Sequence, residues 1–246
     1  MTGEGADAEA WEAHARWWQE GFTDGADVEY EEQILPLATR HLAGAGQVVD
    51  VGCGEGQIAR LAAGAGAARV VGVDASAAQL AEARKRGGGP VYVRGRAEAL
   101  PLPTAAFDAA VACLVLEHVA DLDGALDEVA RVLRPGGTFV MLVNHPLFQT
   151  PGSGWIDDQV LDPPEQYWRV GPYLPEVASA EEIDRGVKLT FYHRPLGRYV
   201  NALAERGLAI TRMLEPAPPP GFLALSPEYA EAGTIPRLLV LRTERR

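Results

Sequence analysis

Two carboxylates and a run of glycines carry the clearest chemical signal in this 246-residue chain. Asp50 stands two residues ahead of Gly52-Cys53-Gly54-Glu55-Gly56, and Asp74 ends the next short apolar run, Arg69 to Val73. Glycine lets the backbone turn sharply and lets a ligand lie against it with no Cβ in the way. A helix starting directly after the loop, over Gln57 to Ala63, offers unpaired N–H groups beside that ligand. The spacing is G-x-G-x-G, not the G-x-G-x-x-G of dinucleotide loops, and no Lys-Ser/Thr pair follows, which excludes a phosphate-cradling P-loop. An acid ahead of the loop repels a pyrophosphate but can hold an ammonium group. Asp74 has two acceptor oxygens and can take two donors at once.

The elements that must hold these groups follow from patterning. Val48-Val49-Asp50-Val51 reads as a buried parallel strand, and Arg69 to Val73 as a second. Ser76 is placed to cap a helix over Ala77 to Lys85. Val91 to Val93 and Phe107 to Val115 read as strands three and four. A helix over Asp121 to Leu133 stops at Pro135-Gly136-Gly137, and Thr138 to Asn144 is a fifth strand. This βα alternation requires a doubly wound parallel sheet.

Flanking segments depart from that rhythm. Residues 1–10 are small and acidic and are expected to lack fixed structure. Ala10 to Glu20 reads as a helix with Trp11, His14 and Trp18 near one face, and Glu29 to Leu42 as another that Pro36 kinks or restarts. Between residues 145 and 194, prolines from Pro146 to Pro175 forbid long elements; only Val187 to His193 reads as a strand. Leu196 to Arg206 is then a helix, with Leu208 to Met213 and Arg237 to Arg242 as the last strands.

Composition bounds the function. Hydrophobic content of 47% and charged content of 23% are ordinary for a globular chain. A net charge of −12 argues against nucleic acid, whose phosphates need a basic surface. Apolar runs are strand-sized, so no membrane helix is expected. The two cysteines, Cys53 and Cys113, suggest a reducing cytoplasm, and neither has a partner at metal spacing.

The D-x-G-x-G-x-G loop with Asp74 one strand further on resembles class I S-adenosylmethionine-dependent methyltransferases, most like the small-molecule branch of quinone-biosynthesis enzymes. The resemblance is strong over residues 45–145 and weak over residues 195–245. It implies an α/β fold: a doubly wound, seven-stranded, mostly parallel Rossmann-like sheet with an N-terminal helical cap and an inserted aromatic-rich lid. The corresponding parts are a cap over 1–44, a cofactor-binding core over 45–144, a lid over 145–194 and the rest of the core over 195–246. It implies S-adenosyl-L-methionine as cofactor. Asp50 would then face the methionine amino group, with Gly52, Cys53, Gly54 and Gly56 beneath the tail. Asp74 would take both ribose hydroxyls, and Ala75, Ala97, Glu98 and Leu114 would flank the adenosine. Family members commonly carry an acid where this chain has Arg96, so the adenine contact here falls to Ala97 or Glu98. Leu114 to His118, LVLEH, resembles the Glu-His that lines the cavity between sulfonium and substrate.

All five tryptophans lie outside the sheet, in the cap and the lid. That distribution implies an enclosure around an aromatic or hydrophobic substrate. The candidates to contact it are Trp17, Trp18, Tyr30, Asn144, Trp155, Trp168 and Tyr192. A general base is needed only if the acceptor must lose a proton, and His118 and His193 are the candidates; Asn144 and His145 could also reach the site. No metal is expected. The reading is a methyltransferase of a small metabolite, with an O-, N- or C-acceptor and a place in specialised metabolism, acting as a monomer or homodimer in the cytoplasm without nucleic acid or membrane. An NAD-dependent oxidoreductase and a non-catalytic S-adenosylmethionine-binding protein are the competing readings.

Overall fold

The computed structural model describes residues 3–160, 162–163, 165–225 and 232–246. Two short helices open the chain, α1 (Gly3–Ala13) and α2 (Ala15–Gly21), and a π-helical turn over Tyr30–Ile34 runs into α3 (Leu35–Leu42). The core follows as β1 (Gln47–Val51), α4 (Gln57–Gly64), β2 (Arg69–Asp74), α5 (Ala77–Arg86), β3 (Val91–Arg94), β4 (Phe107–Cys113), α6 (Leu122–Val132) and β5 (Leu133–Asn144). Two hairpins come next, β6 (Gly154–Asp158) with β7 (Glu165–Arg169) and β8 (Val177–Asp184) with β9 (Val187–His193). The chain returns to the core with α7 (Leu196–Glu205), β10 (Leu208–Leu214), α8 (Pro220–Leu225) and β11 (Leu238–Arg245).

Seven strands form one sheet in the order β3-β2-β1-β4-β5-β11-β10. Only β11 runs against its neighbours. Strand β1 is bounded by β2 on one side and β4 on the other, so the chain changes direction of winding there. A crevice opens at the carboxyl ends of strands at such a point. Strand alternation decides what faces it: Val49 and Val51 join the cluster on the α6–α7 face, whereas Val48 joins the one beneath α3, α4 and α5. Asp50 shares the parity of Val48, which sets its carboxyl under the start of α4.

The flanking helices are amphipathic, and burial holds them. Leu122, Ala125, Leu126, Val129 and Val132 of α6 are all at most 1% exposed. Full burial of each leucine contributes about 1.5–3 kcal/mol. Asp121 caps α6 by accepting the Gly124 N–H at 2.9 Å, and Ser76 caps α5 by accepting the Gln79 N–H at 3.1 Å.

Several boundaries differ from the sequence-based expectation. Residues 3–13 are helical, because docking against the core orders a segment whose composition alone would not; residues 1–2 lie outside the described set. The helix expected over Ala10 to Glu20 breaks at His14. Strand β4 ends at Cys113 because Leu114 adopts a left-handed φ of +55°. Strand β5 starts at Leu133 and contains the Pro135-Gly136-Gly137 turn as an irregularity opposite Phe107–Ala109. The insertion holds four strands where one was expected. Proline limits strand length but does not forbid short hairpins.

Candidate active site

A cleft whose void is about 1100 Å³, counted out to its mouth, opens above β1, β2 and β4. Its floor is the loop after β1. Gly52 has φ +70°, and a Cβ there would strike the Val115 methyl groups. Gly56 caps α4 with φ +86° and lies against the Tyr92 ring, so it shapes the loop from behind and does not line the cleft.

Asp50 and Asp74 both line this cleft. Asp50 is 2% exposed, and its Oδ2 has no hydrogen-bond partner. Burial first, and the neighbouring Asp74 charge second, push the Asp50 carboxyl up to about 8. A carboxylate in that situation is stabilised by any cation set against it. Asp74 accepts the Gly54 N–H through Oδ2 and the Ser76 N–H through Oδ1, both at 2.8 Å. Those two bonds fix its plane while each oxygen keeps capacity for a further donor. Burial raises the Asp74 carboxyl as well, against the lowering effect of these amides.

Cys53, Gly54, Ala75, Ala97, Glu98 and Leu114 also line the cleft. Arg96 reaches Glu98 Oε1 at 3.1 Å. The roof comes from the N-terminal cap: Asp7, Ala8, Trp11, Trp18, Phe22 and Tyr30. Trp18 stacks on Phe22 at 4.5 Å and meets Trp11 edge-on at 5.6 Å. Its Nε1 lies over the glycine loop, 3.7 Å from where a Gly54 Cβ would stand.

His118 closes the end of the cleft, in a 3₁₀ turn over Leu116–His118. Its Nδ1 is 2.8 Å from the Thr190 carbonyl oxygen of β9. A carbonyl only accepts, so Nδ1 carries the proton and the Nε2 lone pair is the ring's remaining acceptor. Trp11 meets the ring edge-on at 5.0 Å, and Phe191 packs at 4.4 Å. Burial pushes this imidazole down to about 4, so it is neutral at ordinary pH. Beside it, Glu117 is buried, and its Oε1 accepts the Asn144 backbone and side-chain N–H groups at 3.0 and 3.2 Å. Burial pushes Glu117 up to about 7.

Other candidates lie elsewhere. His193 is buried, its Nε2 donates to the Tyr173 carbonyl at 2.7 Å, and it borders a separate hollow with Tyr192. Tyr192 donates its hydroxyl to Asp7 at 2.6 Å, which fastens β9 to α1. Trp17 donates to Asp184 at 2.9 Å. Asn144 is engaged by Glu117, and His145 is tied to Glu215 at 2.8 Å. Trp155 and Trp168 meet edge-on at 5.5 Å; Trp168 stacks on Phe148, whose other neighbour is the Arg237 guanidinium. No described residue of the insertion lines the cleft, so the enclosing role expected of it falls to the cap.

Asp7, Phe22 and Cys113 line the cleft without having been expected there, and Trp11, expected in the enclosure but not as a contact, lines it too. Trp11, Trp18 and Phe22 are spaced by seven and four residues, which in an unbroken helix would set them on one face; that spacing was the available signal, although the chain breaks at His14 and Phe22 follows the end of α2. Among the described residues, no helix is long and apolar enough to cross a membrane. No group of three or more His, Cys, Asp or Glu among them could hold a metal ion.

A family model described as "Methyltransferase domain" matches residues 49–141. An S-adenosylmethionine-dependent methyltransferase from Mesorhizobium loti, of known crystal structure, is 33% identical, with 86% of this chain and 96% of that one covered and a TM-score of 0.73. A malonyl-[acyl-carrier protein] O-methyltransferase from Serratia marcescens is 35% identical over 52% of this chain and 46% of its own length. A ubiquinone/menaquinone biosynthesis C-methyltransferase from Methylobacterium nodulans is 41% identical over 39% of this chain and 41% of its own length. The chain thus spans about half the length of these curated relatives.

Proposed function

The chain belongs to the S-adenosylmethionine-dependent methyltransferase family, with S-adenosyl-L-methionine as the family's methyl donor, and from that premise we propose that it methylates a small aromatic or hydrophobic metabolite enclosed beneath α1 and α2. The observation that carries this is a single cleft lined by an unpartnered buried carboxyl, a glycine loop, a second carboxylate one strand over, and a roof of aromatic rings.

The residues fit the donor. Asp50 Oδ2, buried without a partner, suits an ammonium group, and the glycine floor leaves room for an amino acid tail. Asp74, its plane fixed by two backbone amides, takes the ribose hydroxyls. Ala75, Ala97, Glu98 and Leu114 wall the adenosine side. When bound, S-adenosylmethionine supplies a methyl group on a sulfonium, and in-line alignment of the nucleophile is a large share of the catalysis. The cap excludes water from that line.

His118 presents a neutral ring whose Nε2 accepts a hydrogen bond from the acceptor's O–H or N–H. An imidazole held near 4 keeps a proton poorly at neutral pH, so its contribution is orientation of the acceptor. The β8–β9 hairpin supports this role from behind, through the Thr190 carbonyl and the Phe191 ring. Family membership removes the NAD-dependent oxidoreductase alternative. A purely cofactor-binding role is separated by assay: labelled methyl from S-adenosylmethionine should pass to members of a panel of phenols, aromatic amines and carbon acids. Tight binding of S-adenosylhomocysteine with no transfer to any of them would favour the non-catalytic reading. Removing the ribose contact, Asp74→Ala, should weaken S-adenosylhomocysteine on the order of 100-fold, since hydrogen bonds to charged groups contribute about 1.5–3 kcal/mol each.

A further inference from the structure

Charge along the cleft says more about the acceptor than the aromatic roof does. Five acidic side chains line it, Asp7, Asp50, Glu55, Asp74 and Glu98, against one guanidinium, Arg96, among the described residues; Glu55 is bonded to Arg60 and Arg86, and Asp50 is neutral at neutral pH until a cation meets it. Arg96 is itself paired with Glu98 at 3.1 Å. Behind the His118 end, Arg194 is 4% exposed and donates to the carbonyls of Leu116, Val119 and Ala120, the turn that carries His118. It does not line the cleft. His118 offers a lone pair and no charge at neutral pH. An anionic group set among Trp11, Trp18 and His118 would therefore lose its water and gain no counter-charge, which is strongly unfavourable. A neutral hydroxyl or a cationic amine meets the opposite situation: an acceptor nitrogen, ring faces that attract cations, and a surplus of carboxylate.

We propose that the acceptor half of this cleft selects a planar aromatic compound that is uncharged or cationic, and rejects one bearing a carboxylate or a phosphate. This rests on the methyl-donor reading of the same cleft and sharpens it. The surplus of acid has a second role here. The donor's ammonium is taken up by Asp50, and the acid that remains repels an anion without any added clash; S-adenosylhomocysteine, with an uncharged sulfur, offers that anion no counter-charge. Substrates that bring a free acid group into the cleft are thereby excluded.

Three probes of equal ring size test it on the full chain loaded with S-adenosylhomocysteine: 2-naphthol, 2-naphthylmethylamine and 2-naphthoate, titrated calorimetrically at neutral pH. The naphthol and the amine should bind at least about tenfold more tightly than the carboxylate, a difference of roughly 1.4 kcal/mol. Trp11→Ala should weaken the two favoured probes by a larger factor than it weakens S-adenosylhomocysteine, whose measurable binding also shows the variant folded. Equal or tighter binding of 2-naphthoate would overturn the proposal, and so would binding of none of the three or indifference to Trp11→Ala. Failure of S-adenosylhomocysteine to load in the first place would instead count against the donor reading.

Discussion

Burial leaves the Asp50 carboxyl titrating well above its ordinary range, up to about 8, with an oxygen that has no partner. Holding an ammonium group requires the ionised form, so below pH 8 binding must expel a proton. S-adenosylhomocysteine affinity should therefore rise between pH 6 and 8, with close to one proton released per binding event, read by calorimetry in buffers of different ionisation enthalpy. Asp50→Asn should flatten that dependence and weaken binding. Stability runs the other way. Because the folded value lies above the ordinary carboxylate value, this contribution to stability is full below that ordinary value, shrinks as pH rises from there, and is lost by about pH 8. Asp50→Asn should thus raise the melting temperature of the free protein at pH 8.5 while impairing the site, a trade of stability against function. His118 gives a different signature. His118→Ala should lower methyl transfer and leave the S-adenosylhomocysteine Kd within about threefold, and any pH step in the wild-type rate at saturating cofactor should persist in His118→Ala, since this ring stays neutral down to about pH 4.

The N-terminal helices roof the cleft and are fastened by polar bonds at several points. Glu12 accepts the Ser76 hydroxyl at 2.6 Å and the Ala78 N–H at 3.2 Å, at the start of α5 and two residues from Asp74. Gln19 donates to Gln79 at 2.9 Å, and Asp7 takes the Tyr192 hydroxyl. Polar bonds near solvent exchange for water at little net cost, about 0.5–1.5 kcal/mol each. Glu12→Ala should accordingly speed S-adenosylhomocysteine dissociation several-fold in stopped-flow tryptophan fluorescence, with a small change in melting temperature. The β6–β7 hairpin is held differently, through Arg237 between the Phe148 and Phe222 rings with Trp168 stacked beyond. Arg237→Ala should expose that hairpin to limited proteolysis without altering cofactor affinity. A cap and an insertion that look alike in composition thus do separate jobs: one covers the cleft, and the other, through β9, braces α1 and His118.

The molecule stands on two apolar layers, one on each face of the sheet. Leu126, fully buried in the α6 layer, tests that layer: Leu126→Ala should cost about 2–5 kcal/mol in denaturant unfolding. Much of this architecture was legible in the sequence, because its signals are local. Apolar runs of strand length, the cap at Ser76, and glycines ahead of Gln57 each constrain their own neighbourhood, and together they placed Asp50 and Asp74 at the ends of adjacent strands. Those two residues and the glycine loop needed no knowledge of distant segments. The roof and the acceptor end did. Trp11, Trp17, Trp18, Trp155 and Trp168 are alike in the sequence, yet an aromatic ring is satisfied by any of many apolar partners, so nothing local says which of them meets the cleft. His118 and His193 were equal candidates until Thr190, 72 residues from His118, fixed one ring at the cleft while Tyr173 held the other outside it. Sequence determined the sheet and the cofactor end, where backbone geometry and spacing decide. Tertiary structure alone decided what covers the cleft and which histidine lines it, because those outcomes depend on contacts between segments far apart in the chain.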